Sequence, residues 1–186
     1  MLHGLLHIAI SGVESTGKTT LSKDLGDALS ACVVSEIARN DERVVAGNAR
    51  LADLQRLGKE QLSACRAIEK SAQLHGIQFV ISDTDSTVLR MWGRWVFKEE
   101  VAGLRALDEW PHLTLLCAPN IPWEADPLRT LPRQSDRNEL HEMYVEDLES
   151  RSNRSWALID DLTPQKRLEQ SVRAVQSFLS KSRFSE

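Results

Sequence analysis

The chain has 186 residues, 41% of them hydrophobic and 27% charged, a length and balance that suit one folded domain and exclude a fibrous or disordered polymer. With 27 acidic against 23 basic side chains the net charge is -4, so no broad cationic field is present to hold nucleic acid or an anionic membrane. The expected partner is therefore a small molecule, with oligomeric state left open.

In chain order, the apolar run LLHIAIS (residues 5–11) reads as a strand closed by Gly12, and residues 18–29 place Leu21, Leu25, Ala28 and Leu29 on one helical face. ACVVSE (31–36) is a second short strand, followed by a long helical segment, 51–74, that carries Leu51, Leu54, Leu57, Leu62, Cys65 and Ile68 and stops at Gly76. IQFVIS (77–82) is a third strand ending on Asp83, HLTLLCA (112–118) a fourth ending on Pro119, and SWALID (155–160) a fifth. Helical stretches are expected over 85–97, 101–109, 136–152 and 164–178. Nearly all-apolar strands alternating with helices indicate an α/β fold with a parallel sheet buried on both faces. Nothing in the composition divides the chain, so residues 1–186 read as a single domain. Cys32, Cys65 and Cys117 are odd in number, widely spaced and without a C-x-x-C pair, and are expected to be reduced core residues. The start MLHGLLHIAI is too short for a signal peptide, and no run approaches the roughly 18 apolar residues of a spanning helix, so a cytoplasmic protein is expected.

Between the first strand and first helix lies SGVESTGKTT. Gly12, Val13, Glu14, Ser15, Thr16, Gly17, Lys18 and Thr19 match G-x-x-x-x-G-K-[ST], and Thr20 follows as a second hydroxyl. Two glycines let the backbone curl so that successive N–H groups face a polyphosphate, and the helix adds its positive end. Lys18 is then expected to reach the β- and γ-phosphates of ATP and Thr19 to hold Mg²⁺. Asp83, at the end of the third strand, is the expected metal acid. Asp85 is either a substrate contact or a helix cap.

Water-activating motors usually carry Glu beside the strand-end Asp, where this chain has Thr84, and no N-K-x-D guanine-reading segment occurs. Those departures favour a small-molecule kinase. Such an enzyme needs a base at the acceptor hydroxyl. Glu36, just beyond the second strand with Arg39 one turn later, is the candidate, the competing reading being a solvated acid paired with Arg39. It also needs guanidiniums that close over the phosphoryl group. WEADPLRTLPRQSDRNEL supplies Arg129, Arg133 and Arg137 in a stretch broken by Pro127 and Pro132, which reads as an Arg-rich lid over about 120–138.

GVESTGKTT, SEIAR, ISDTD and WEADPLRTLPRQSDR together resemble the nicotinamide riboside kinase domain of NadR-type proteins over nearly the whole chain. The resemblance implies a P-loop three-layer sandwich with a five-stranded sheet in the order 2-3-1-4-5, ATP and Mg²⁺ as cofactors, and phosphorylation of a ribosyl 5′-hydroxyl. It also implies that Glu36, Arg39, Asp83, Asp85, Trp123, Asp126, Arg129 and Arg137 hold substrate, metal and lid positions. The chain departs from that pattern in two places. Pro127 replaces the lid glycine, and Ser35 stands where the family draws an aromatic face for the nicotinamide ring. Trp92 and Trp95 are the candidates to supply a replacement platform. Kinases of other nucleosides or small metabolites, and a nucleotide-dependent regulatory switch, remain alternative readings.

Overall fold

The computed structural model describes residues 4–107, 110–126, 128–152 and 154–182. Pro127, which stands in place of the lid glycine of the family the sequence resembles, lies outside the described residues. Five parallel strands, β1 (Leu6–Ser11), β2 (Cys32–Val34), β3 (Phe79–Asp83), β4 (Leu113–Cys117) and β5 (Ser155–Ile159), form one sheet in the order β2-β3-β1-β4-β5. Ile8 pairs with Ile81 on one side and Leu113 on the other. The central strand is therefore hydrogen-bonded along both edges, and five of its six residues are buried, as expected of a parallel sheet with helices on both faces.

The helices are α1 (Lys18–Leu29), α2 (Glu42–Val45), α3 (Leu51–Leu74), α4 (Ser86–Phe97), α5 (Gln134–Glu149) and α6 (Pro164–Ser182). Alternate residues of β4 show the two layers. Leu113, Leu115 and Cys117 join Leu21 and Leu25 of α1 and Val175 of α6, whereas Leu116 joins Met91 of α4 and Leu140, Tyr144 and Leu148 of α5. Here side-chain alternation along the strand sorts the core. α3 packs beside α4, with Leu54 and Leu57 against Leu89.

The helix expected over 101–109 is not found across the described part of that stretch. Gly103 takes φ +76° and only a 3₁₀ turn, Arg105–Leu107, follows. The apolar spacing that suggested a helix instead buries Val101 and Leu104 against Leu54, Leu57 and Leu89 from a loop. β2 is also shorter than expected, and α2 was not anticipated. α2 is held by Asp41, whose carboxylate accepts from the Arg43 and Val44 amides at 3.1 Å, a side-chain cap of the usual kind. Cys32, Cys65 and Cys117 are free thiols. Burial pushes both the Cys65 and the Cys117 thiol up to about 11, which keeps them protonated and unreactive.

Among the described residues, no helix is long and apolar enough to cross a membrane. In a parallel sheet of this order the carboxyl ends of β1, β3 and β4 converge where successive connections depart to opposite sides, which is where such folds bind ligands. Gly12 and Asp83 both stand at that edge.

Candidate active site

The loop after β1 is built by backbone geometry that few residues can adopt. Gly12 has φ +137°, and a Cβ there would lie 2.7 Å from the Cys117 carbonyl oxygen; Gly17 has φ +76° and caps α1 in the left-handed region. Ser15 joins them at φ +56°. These turns wrap the chain around the start of α1, whose first amides point into the curl. Lys18 folds back over it, with Nζ donating to the Gly12 and Val13 carbonyls at 2.9 and 2.8 Å. Thr16 Oγ1 closes the loop through a 2.8 Å bond to the Val13 carbonyl.

Arg167 of α6 is a contributor that sequence reading missed. It is 3% exposed, and its guanidinium donates to the Thr16 carbonyl at 2.7 Å, the Ala118 carbonyl at 2.9 Å and the Asp161 carbonyl at 2.6 Å. One planar fork thus ties the phosphate loop to the end of β4 and the turn after β5. A signal was present: Arg167, Ser171 and Val175 share the i, i+4, i+8 stripe that α6 buries, and a charge on a buried stripe must have partners.

At the neighbouring strand end Asp83 is 2% exposed, and its Oδ1 has no hydrogen-bond partner among the described residues. An orphaned buried carboxylate oxygen beside a phosphate loop suits a hard, oxygen-seeking divalent cation such as Mg²⁺. Thr84, immediately after, is buried at φ +85°, a costly conformation for a β-branched residue and one that concentrates at functional sites. Asp85 is engaged differently. Its carboxylate accepts from the Ser11 hydroxyl at 2.7 Å, the Thr87 hydroxyl at 3.0 Å and the Val88 amide at 3.3 Å, and pairs with Arg154 at 3.2 Å. Of the two readings open at the sequence level, the cap is the one with contacts in the structure.

The segment after β4 lies on the phosphate loop. Glu14, expected to face a nucleotide, turns to this lid. Its carboxylate accepts from the Thr130 amide at 2.8 Å, the Leu131 amide at 2.7 Å and Trp123 Nε1 at 3.2 Å. Ser15 Oγ accepts from the Glu124 amide at 3.0 Å and from Arg129 Nη1 at 3.2 Å. Trp123 thus contributes by holding the lid on Glu14. On the opposite side Asp126 lies 3.5 Å from Arg39, whose Nε is 3.0 Å from Glu36. The Leu128 amide, followed by the Arg39 and Arg129 charges, holds the Asp126 carboxyl below its usual range.

Arg133 is exposed and pairs with Asp136 at 2.9 Å, away from the loop. Arg137 belongs to the first turn of α5, which starts at Gln134, two residues earlier than expected. It is 2% exposed, bonds Gln134 through one nitrogen, and leaves Nε and Nη1 without partners among the described residues. Burial lowers its pKa while the Glu14 charge opposes that shift. A buried guanidinium with two unused donors close to a phosphate loop is arranged for an anion.

Loop and lid enclose one end of a cleft of about 710 Å³. Gly12 to Thr20 and Arg129 line the polar end; Val44, Leu54, Leu57, Val88, Leu89, Trp92, Phe97, Leu140 and Tyr144 line the other, and Glu36 and Arg39 also border the cleft. Trp92 therefore reaches it, edge-on to Phe97 with centroids 5.8 Å apart. Trp95 does not, since it packs toward Met91 and lies under Lys98, 4.9 Å from its ring. Only one of the two tryptophans offers a platform.

The profile of the AAA domain family matches residues 7–163. The chain belongs to the AAA domain family. As an AAA domain of P-loop NTPase type, with sheet order 2-3-1-4-5 and helices on both faces, it carries a nucleotide-binding loop in the place where the motif predicted one. Among solved structures, this AAA domain is similar to NadR protein in complex with NR at 22% identity and TM-score 0.70 over 95% of this chain and 52% of the other. It is similar to NadR protein in complex with NAD and AMP-PNP at 25% identity and TM-score 0.69 over 95% and 50%. It also resembles thymidylate kinase from Ehrlichia chaffeensis at 14% identity and TM-score 0.67 over 92% and 99%. The chain spans about half the length of the NadR chains it matches. No curated protein sequence matches it. The shared architecture is that of a P-loop domain.

Proposed function

We propose that this AAA domain is an ATP- and Mg²⁺-dependent phosphotransferase that moves the γ-phosphoryl group to a hydroxyl of a small nucleoside-like acceptor, with nicotinamide riboside, giving nicotinamide mononucleotide, as the foremost candidate. The observation that carries this reading is the single cleft in which a phosphate loop opens into an apolar chamber with the Glu36 carboxylate on its wall. Donor and acceptor can meet there out of bulk water, and positioning supplies much of the catalysis in phosphoryl transfer. The two NadR complexes and the kinase found among similar folds support it by likeness alone.

In this reading residues 1–186 act as one kinase domain with its lid over about 120–138, of which the part from Gln134 on belongs to the start of α5. Lys18 leaves the Gly12 and Val13 carbonyls to reach phosphate oxygens, while the loop amides from Gly12 to Thr20 and the guanidiniums of Arg129 and Arg137 offset developing negative charge. Thr19 and Asp83 hold the metal, which when bound neutralises phosphate charge. Glu36 takes the acceptor proton, and Arg39 orients the Glu36 carboxylate from 3.0 Å. Trp92 supplies an apolar face, Asp85 braces the start of α4, and Trp123 braces the lid.

The test is ADP release with Mg²⁺ and ATP as a function of added nicotinamide riboside. Acceptor-dependent release is expected, with Glu36→Gln lowering turnover by about 10²-fold or more while the ATP KM holds. Asp83→Asn is expected to raise the Mg²⁺ requirement instead. ATP binding with no acceptor-stimulated release across a panel of nucleosides would refute the reading in favour of a nucleotide switch.

A further inference from the structure

The chain contains one tyrosine, and its surroundings are unusual. Tyr144 lies on the buried stripe of α5 with Arg137, Leu140 and Leu148, and it is 1% exposed. Its ring packs among Val13, Met91, Leu116 and Leu131, a setting that phenylalanine would fill equally well. The hydroxyl makes no hydrogen bond to the described residues, and the residue borders the cleft, where a ligand oxygen can reach it. Tyr144 also lines the cleft at its apolar end, beside Leu140.

The charges around it narrow what can approach. Burial first, then the Asp85, Glu36 and Asp147 carboxylates, push the phenol well above its usual range, so it stays a neutral O–H donor. Asp85 is compensated by Arg154 and Asp147 by Arg90, whereas Glu36 shares Arg39 with Asp126. An anionic group placed there would meet the under-compensated Glu36 carboxylate; a neutral or cationic one would not be repelled. Arg137 and Tyr144 stand seven residues apart on one helix face, roughly 10 Å along the axis. α5 thereby carries unused donors at two heights, Arg137 near Glu14 of the phosphate loop and Tyr144 on the wall of the chamber.

We propose that the Tyr144 hydroxyl is the specificity-determining contact of the acceptor site: it donates a hydrogen bond to a carbonyl or ring oxygen on a neutral or cationic flat acceptor and disfavours anionic ones. This rests on the phosphotransferase reading for the word acceptor. The contact itself rests on the unsatisfied hydroxyl in the cleft. An acceptor lacking that oxygen leaves the hydroxyl unpaired in the closed complex, which is how a polar group in an apolar site discriminates.

Because the tyrosine is single, ring-¹³C tyrosine labelling of the full chain gives one side-chain signal to follow by NMR. The protein, with Mg²⁺ and a non-hydrolysable ATP analogue, is titrated with nicotinamide riboside, with uridine and with orotidine, which adds a carboxylate to uridine. The signal is expected to move with nicotinamide riboside or uridine, and to stay put with orotidine or with nucleotide alone. Tyr144→Phe is expected to raise the acceptor KM roughly tenfold, leave the ATP KM within about twofold, and leave the ligand-free melting temperature unchanged, since the ring keeps its packing and the hydroxyl holds no protein partner among the described residues. A signal unmoved by all three nucleosides overturns the proposal, as does a Tyr144→Phe protein that melts lower and keeps its acceptor KM. Movement by orotidine equal to that by uridine overturns the charge argument. A moving signal without ADP release refutes phosphotransfer and leaves the contact standing, whereas ADP release with a silent signal does the reverse.

Discussion

Glu14 places a carboxylate inside a phosphate-binding loop and spends it on the lid, which makes Glu14→Gln the most informative single change. The substitution keeps the shape and one carbonyl oxygen. That oxygen can serve either the Thr130 or the Leu131 amide, now 2.8 and 2.7 Å from the two carboxylate oxygens, but the new NH₂ must face the other amide, donor against donor. At least one charge-assisted bond is lost, and those that remain, including the one from Trp123 Nε1 if its oxygen stays a carbonyl, become neutral. Bonds to charged groups contribute about 1.5–3 kcal/mol and neutral ones about 0.5–1.5. Glu14 is half-buried, so solvent screening trims the loss to roughly 1–2 kcal/mol, a factor of about 5–30 in the opening of the lid. Native-state amide exchange reads this directly. Thr130 and Leu131 should exchange faster by that factor, while amides of Ile8, Ile10 and Leu115 in the sheet keep wild-type rates. Rates at Thr130 and Leu131 within about twofold of wild type would refute the view that Glu14 holds the lid.

Other consequences are equally open to measurement. Gly12→Ala would place a methyl 2.7 Å from the Cys117 carbonyl oxygen at a φ of +137°, so the variant should lose detectable nucleotide binding by calorimetry; wild-type affinity would show that the loop tolerates a side chain there. Asp147→Asn removes one of two carboxylates facing Arg90, which is 1% exposed and keeps Glu100 at 2.6 Å, and should lower stability by about 1.5–3 kcal/mol in urea unfolding; a shift under about 0.5 kcal/mol would contradict a buried pair. Burial foremost lowers the pKa of both His7 and His112 from the ordinary 6.5, so the unfolded chain takes up protons first as pH falls. The stability these neutral rings contribute is complete above about pH 6.5 and is lost progressively below it. The urea midpoint should accordingly drop between pH 7.5 and 5.5, and the drop should shrink in a His7→Gln, His112→Gln variant; an identical drop would assign it elsewhere.

Much of this molecule is local in origin and therefore legible along the chain. Strands of near-continuous Leu, Ile and Val can only be buried on both faces, and the positions of β1, β3 and β4 follow from that alone. The phosphate loop is equally local, because Gly12, Gly17 and Lys18 act through backbone geometry within eight residues. What the chain order could not reveal depends on encounters between distant segments. Glu14 meets Leu131 at a separation of 117 residues and Arg167 meets Thr16 at 151, and no periodicity or propensity encodes either. The same holds for the 101–107 stretch, where an apolar spacing that fits a helix is overridden by the chance to bury Val101 and Leu104 on α3 and α4 around a left-handed Gly103. Tyr144 is the sharpest case. Nothing in the order of residues along α5 marked it, and only the packing of α5 beside the cleft buries its ring and leaves its hydroxyl without a protein partner among the described residues, because burial is a property of surfaces brought together by the whole chain and not of the segment that carries the residue.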